Sequence, residues 1–424
     1  MLIKTDTYLK FMLLVLFLMG VQLAPGFSVV PLSDVVRIGL VSFFLLLAIY
    51  TAGGRIQPVS KPNLLLISLL FLFYLWAVFT SIADGQYVFD SFRRATLAIG
   101  TSLVVLSAFM FYRPSSALML RVFWLMLIVA TGISAVSLVM SFLGGGYTPT
   151  GTGQHYQSLS LPGVELTQIV HFAGGFPRIS GITPNPNTLG FYSGVACVLV
   201  VALYFLKQKG FLFLLPIFLI NFGALLHSFS RAAMLAFLIA SVLVLFFSGR
   251  SRFLITTFIS IVVVFLLLIL FGDAFQVFLS SRSEQGLSGR DNIWQTAFSA
   301  FLASPIYGVG FGLEMEKIMD PADIRWTMHN AYIAVLAETG FIGFGLILFF
   351  LLLSFLIIFH KLKYTSCRQT RVVFIIILAV LLFISIRSFF ETAIFRFSYI
   401  NLIFISFIGM AVFLQTNRCC IDNR

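Results

Sequence analysis

Long apolar runs, each closed by a short polar or basic stretch, recur along almost the whole chain. A run of about 18 or more apolar residues is long enough to cross a bilayer as a helix. Twelve such segments stand near residues 9–27, 34–51, 62–82, 94–111, 116–142, 188–206, 211–227, 231–248, 253–271, 330–358, 372–390 and 396–414. The pattern predicts one all-α, polytopic membrane domain over residues 1–424, with no internal repeat and no separate soluble domain. The mildly basic start "MLIKTDTYLK" is followed by no clear small-x-small cleavage site, so the first run reads as a retained helix.

Two stretches are too long to be simple connectors, 144–187 and 272–329. The first opens on "GGGYTPTGTGQ", which reads as flexible, and closes on "FPRISGITPNPN". There Pro184 and Pro186 interrupt any helix, and Asn187 is placed to cap the next one. The second contains "LSGRDNIWQTAFSAFLASP". Ile293, Trp294, Ala297, Phe298 and Phe301 recur at helical spacing, Ser288 and Asp291 resemble a capping box, and Pro305 ends the run. This predicts a short amphipathic helix lying on the membrane surface. Arg290 falls in its first turn, where free backbone N–H groups favour an anion.

Charge orients the helices. With the N-terminus inside and sides alternating, the inner segments collect Lys4, Lys10, Arg55, Lys61, Arg113, Lys207, Lys209, Arg250, Arg252, Lys361, Lys363, Arg368, Arg371, Arg418 and Arg424, against only Asp6 and Asp422. That bias puts both termini in the cytoplasm and the two long loops outside. The net charge of +12 is therefore mainly a topology signal, and no nucleic-acid partner is needed to explain it. Of the four cysteines, Cys197 falls inside a helix, and Cys367, Cys419 and Cys420 fall on the inner side, so free thiols are expected. No pattern of metal-ligand spacing stands out, and neither a metal nor a cofactor is called for.

The unusual residues are arginines on the outer side: Arg93, Arg94, Arg178, Arg231, Arg282, Arg290, Arg325, Arg387 and Arg396. Adjacent arginines such as Arg93 and Arg94 suit lipid headgroups. Arg387 and Glu391, four apart, read equally as an ion pair within one helix or as part of a site. Arg231 differs, because its neighbourhood "LHSFS" offers hydroxyls and His227 but no acid. A partly buried arginine without an acid in its own segment is a candidate for an anionic ligand. Farther on, "TMHNAYIAVLAETGFIGFGLILFF" sets His329 and Asn330 where a loop becomes a membrane helix. A lone histidine there serves as a polar anchor or as chemistry, and its own segment does not decide which. Glu338 points to roughly the opposite face from His329, and Gly340, Gly343 and Gly345 read as close helix packing.

In their order, "HSFSRAAMLAF", "SGRDNIW…GVGFG" and "HNAYIAVLAETGFIGFG" resemble the O-antigen ligase-like superfamily, which includes O-antigen ligases and O-antigen and exopolysaccharide polymerases. The resemblance covers about residues 178–350, and "RISGITPNPNTLGFYS" is similar to the segment that precedes these motifs in relatives. It implies a GT-C-like, inverting, metal-independent glycosyltransferase of the bacterial inner membrane, active at the periplasmic face. The implied donor is a glycan on undecaprenyl diphosphate. The acceptor is lipid A–core for a ligase, or another lipid-linked repeat for a polymerase. Membrane lipids and a chain-length regulator are the further partners it admits. By motif position, Arg231 and Arg290 correspond to the first and second conserved arginines, and His329 to the histidine of the HN motif; guanidinium chemistry suits the two arginines to hold the diphosphate. Arg178, Asn187 and Asn330 become candidate substrate contacts. The alternative class is a transporter or flippase of lipid-linked oligosaccharide, which would carry ionisable groups or broken helices near the midplane.

Overall fold

The computed structural model describes residues 4–24, 27–28, 34–149, 154–173, 176–249, 290–313, 318 and 328–415. The expected run at 253–271, with Arg282, Ser288 and Arg325, lies outside them. The chain is mostly helical. Seven helices among the described residues are long and apolar enough to cross a membrane: Asp34–Thr51, Lys61–Ala83, Val88–Phe111, Ser116–Leu143, Pro186–Phe205, Ala331–Tyr364 and Arg368–Arg387. Phe211–His227, Arg231–Phe247 and Tyr399–Phe413 are apolar but shorter. The first apolar run stops at Leu18, and the two-stranded hairpin β1 (Gln22–Ala24) and β2 (Phe27–Ser28) follows it.

The chain divides into two compact units. One comprises Met1–Phe17, Pro31–Val122 and Arg290–Arg424; the other comprises Leu18–Val30 and Phe123–Gly289.

The first unit contains α1 (Thr5–Leu18, all but its last residue), α2 (Asp34–Thr51), α3 (Lys61–Asp84), α4 (Val88–Ala95), α5 (Thr101–Phe111), α10 (Arg290–Ala303), α11 (Ala331–Tyr364), α12 (Arg368–Arg387) and α13 (Tyr399–Phe413). A π-helical turn, Thr96–Gly100, joins α4 to α5. In α13 every residue from Ile400 to Phe413 is buried, as expected of a helix apolar on all sides. Gly409 leaves room for the Phe109 ring, where a Cβ would lie 2.3 Å from it. Polar seams fix the register: Asn401 Nδ2 donates to Ser102 Oγ (3.0 Å) and Asn63 Nδ2 to the Val412 carbonyl (3.2 Å). The outer faces are apolar too. Phe71, Leu75 and Phe79 on α3, and Leu348, Leu352 and Leu356 on α11, are exposed at four-residue spacing, which is a surface for lipid.

Helix α11 is broken. Gly340 has φ 64° and ψ −167°, a conformation for glycine alone, and it separates two helical stretches. A loop with positive-φ glycines at 308, 310 and 312 packs its backbone into the break. Val309 N donates to Ala337 O (3.0 Å), Gly310 N to Glu338 O (3.0 Å), and Phe341 N to Pro305 O (2.8 Å). Trp76 Nε1 takes the Thr339 carbonyl at 2.8 Å. Close approach thus holds at Gly340, against the Ile306 backbone, but there the glycine also breaks the helix. Gly343 does face Trp76, and Gly345 meets nothing.

The second unit holds most of α6 (Ser116–Leu143), together with α7 (Pro186–Phe205), α8 (Phe211–His227) and α9 (Arg231–Phe247). The buried α7 packs against both α8 and α9. Asn221 links α8 to α6 through Thr131 Oγ1 (2.8 Å) and Ser134 Oγ (2.9 Å). The first long loop is not purely flexible, and here the all-α expectation needs correction. It forms a four-stranded antiparallel sheet of β3 (Thr148–Pro149), β4 (His155–Leu161), β5 (Val164–Ala173) and β6 (Phe176–Ile179). β4 and β5 turn through Pro162–Gly163, with Gly163 at φ 79°. Cys197 is free and buried, but Cys367 is disulfide-bonded, contrary to the free thiols expected.

Candidate active site

In the second unit three of the proposed residues meet around one turn. Arg178 on β6 donates from Nη2 to Asn187 Oδ1 (3.3 Å) and from Nε to the Ser228 carbonyl (3.4 Å). Ser228 is the C-cap of α8, so Arg178 places its charge at the negative end of that helix. Asn187 is not the cap of α7, contrary to expectation. Asn185 is, accepting from Thr188 N at 2.9 Å, because Pro186 takes the first helical position that suits it. Asn187 therefore sits in the first turn, where its side chain meets Arg178 instead. His171 pairs with Arg178 across the sheet. Burial, and secondarily the Arg178 charge, pushes its pKa below the ordinary histidine value.

The turn at residues 228–230 leads directly into Arg231, the first residue of α9. Phe229 has φ 46°, rare for a bulky residue. Ser230 is the N-cap, yet its side chain makes no capping bond. Its Oγ is buried and has no hydrogen-bond partner among the described residues. The Arg231 side chain is exposed, more so than the sequence suggested. Gly190 on α7 permits this approach, since a Cβ there would lie 2.6 Å from Ser230 Cβ.

In the first unit α10 begins at Arg290, as the sequence predicts. Ala297 and Phe301 are buried on its inner side, Phe298 is exposed, and Trp294 Nε1 donates to the Met328 carbonyl (2.9 Å). That bond fixes the chain immediately before His329. Asn330 caps α11, its Oδ1 accepting from Tyr332 N and Ile333 N, both at 3.0 Å. Between them His329 adopts φ 45°. Its Nδ1 lies 3.6 Å from Glu391 Oε2. Tyr332 Oη donates to the Ser385 carbonyl (3.0 Å) and Ala331 N to the Ser388 carbonyl (2.9 Å), which clamp the Glu391 segment to the start of α11. α12 ends at Arg387, so Glu391 lies beyond that helix, and it faces His329.

The candidates thus divide between the two units. Arg178, Asn187 and Arg231 belong to the second unit; Arg290, His329 and Asn330 belong to the first. Sequence reasoning missed Ser230, which carries no signal beyond its position before Arg231, and the role of Glu391 as neighbour of His329. Among the described residues, no group of three or more His, Cys, Asp or Glu side chains gathers as a metal site would require.

No curated protein sequence matches the chain. A family model described as O-Antigen ligase matches residues 216–349, a stretch that includes Arg231, Arg290, His329 and Asn330 and leaves out Arg178, Asn187 and Glu391. Residues 216–349 are thus similar to the O-Antigen ligase family, which supports the superfamily resemblance carried by the three motifs.

Proposed function

We propose that the protein transfers a glycan from undecaprenyl diphosphate to an acceptor sugar hydroxyl at the outer face of the inner membrane, as an O-antigen ligase or polymerase. The coarser role, glycosyl transfer in polysaccharide biosynthesis by a membrane protein, follows from the family match and the apolar helices. The observation that carries the finer reading is that the matched segment holds two arginines and a histidine at element starts, two of them beside strained backbone.

In this reading the acceptor oxygen attacks the anomeric carbon from the side opposite the diphosphate. The bond from that carbon to the diphosphate oxygen breaks, so configuration inverts and undecaprenyl diphosphate leaves. Arg231 and Arg290 grip the departing phosphates. Guanidinium groups bind phosphate oxygens in pairs and stay charged at any working pH. The N–H groups at the start of α9 and the Ser230 hydroxyl add donors beside Arg231. His329 takes the acceptor proton on Nε2, while Glu391 on the Nδ1 side orients the ring and stabilises the imidazolium. Arg178 and Asn187 hold the turn that presents Arg231. No step calls on a metal, because the arginines supply the positive charge.

One feature favours the transporter alternative: α11 is broken, with the fully buried Glu338 beside the break. Glu338 is neutralised by Arg396 (2.7 Å), however, so it supports structure more than a transport path. A deletion strain analysed on a polysaccharide gel tests the proposal. Single repeats left on lipid A–core indicate a polymerase; unattached polymer on its carrier indicates a ligase. An unchanged ladder overturns both.

A further inference from the structure

Arg94 and Arg396, two arginines that the transfer reaction does not use, border one cavity of about 280 Å³ in the first unit. The rest of its wall is mainly apolar: Leu97, Ala98, Phe311 and Phe397. Arg94 and Arg93 were expected to reach lipid headgroups side by side, but they part. Arg93 is exposed, whereas Arg94 turns inward and donates to the Gly312 carbonyl. Gly312 has φ 78°, and a Cβ there would lie 2.8 Å from Arg94 Cδ, so this glycine makes room for the arginine stem.

Opposite, Phe395 has φ 61°, held by Asn401 Oδ1 accepting from its N–H (3.0 Å). Arg396 follows. Its Nη2 meets Glu338 Oε1 at 2.7 Å, and its guanidinium carbon lies 5.6 Å from the centre of the Phe311 ring. A third arginine, Arg37, supports the wall from outside. It donates to the Phe397 carbonyl at 2.7 Å, stacks on that ring at 4.4 Å, and pairs with Asp34 at 3.5 Å. Two fixed guanidiniums therefore line the cavity, with one carboxylate, Glu338, behind one of them. The volume is at the small end of ordinary ligand pockets, which span roughly 300–1,000 Å³. It suits a single charged group and not an oligosaccharide.

We propose that this cavity binds a lipid-borne phosphate, its oxygens between Arg94 and Arg396 and the first carbons of its chain against Leu97, Ala98 and Phe397. The chemistry recognised is a phosphate ester with an apolar tail. That description fits both an anionic phospholipid and a polyprenyl phosphate. Its lining includes none of Arg231, Arg290 and His329, and the proposal does not depend on the transfer reaction.

The test uses full-length purified protein and native mass spectrometry with three probes: phosphatidylglycerol, undecaprenyl monophosphate and diacylglycerol, which lacks phosphate. Wild type should retain at least one phosphate probe and not diacylglycerol. R94Q should weaken that retention by roughly ten- to hundredfold, the effect of losing one charge-assisted contact. The double variant E338Q/R396Q removes the buried ion pair as a whole and should weaken it similarly, so it carries the test should R94Q fail to fold. Weakened phosphatidylglycerol alone identifies a headgroup site; weakened undecaprenyl phosphate alone identifies a carrier site. Wild type that retains neither phosphate probe, or variants that retain both as wild type does, would overturn the proposal.

Discussion

Glu391 Oε2 lies 3.6 Å from His329 Nδ1, although His329 precedes α11 and Glu391 follows α12. The contact depends on the clamp formed by Tyr332 and Ala331 on the Ser385 and Ser388 carbonyls. If Glu391 orients the ring and stabilises its protonated form, Glu391→Gln should lower kcat by about tenfold or more and leave KM nearly unchanged. His329→Ala should cost more, since general-base catalysis contributes about 10²–10⁴ in rate. Transfer kinetics from a lipid-linked donor check this, and wild-type kcat in Glu391→Gln would remove Glu391 from the mechanism.

Arg231→Ala and Arg290→Ala should each slow transfer about a hundredfold or more. A stabiliser that strengthens in the transition state is worth on the order of 3 kcal/mol. Lysine at either position should rescue only in part, because it keeps the charge but loses the planar fork. Arg250→Ala, in a segment the charge pattern places inside, is the control and should stay active. Activity has to be read against membrane abundance: a loss that merely follows protein level would speak against the diphosphate clamp.

Transfer by purified protein should survive excess chelator, because the proposed cations are guanidiniums. EDTA inhibition reversed by magnesium or manganese would contradict the arginine mechanism.

Gly340→Ala should reduce thermal stability sharply. The left-handed backbone alone costs about 1–3 kcal/mol in a residue with a side chain. In addition, the new Cβ would lie 2.2 Å from the Ile306 carbonyl oxygen. Gly345→Ala, where a Cβ meets nothing within 4 Å, should be neutral or mildly stabilising through helix propensity. Melting of the detergent-solubilised variants separates the two, and equal melting temperatures would refute the helix-break account.

His171 gives the sheet an acid sensitivity. Its folded pKa is depressed by burial and then by Arg178, so the folded state favours neutral imidazole while the unfolded chain titrates near 6.5. The stability this contributes is present above the unfolded value and is lost as pH falls below it, because the unfolded state then binds the proton more readily. Between pH 7.5 and pH 5 the wild type should lose more melting temperature than His171→Gln. Parallel losses would show that another group dominates.

Much of the architecture was legible along the chain. Apolar runs long enough for a bilayer marked helices, Ile293 to Phe301 marked α10 through their spacing, and three motifs in order pointed to the O-antigen ligase segment. Such signals are local, since a hydrophobic period or a helix start is written within a few neighbouring residues. The sheet was missed although "LSLPGVEL" carries a proline-glycine turn between alternating runs, because the glycines before it drew the reading towards a flexible loop.

Sequence alone thus determined the membrane character, most helices and the candidate residue types, because burial in lipid demands continuous apolar helices whatever packs beside them. Tertiary structure decided which side chains meet. Arg94 reaches Gly312 across 218 residues, Arg396 reaches Glu338 across 58, and Glu391 comes up against His329. Those pairings go with the helix break at Gly340, the room that Gly312 leaves for Arg94, and the positive-φ backbone of Phe395 and His329. Each is set by the shape of a neighbouring element, and no local pattern encodes it.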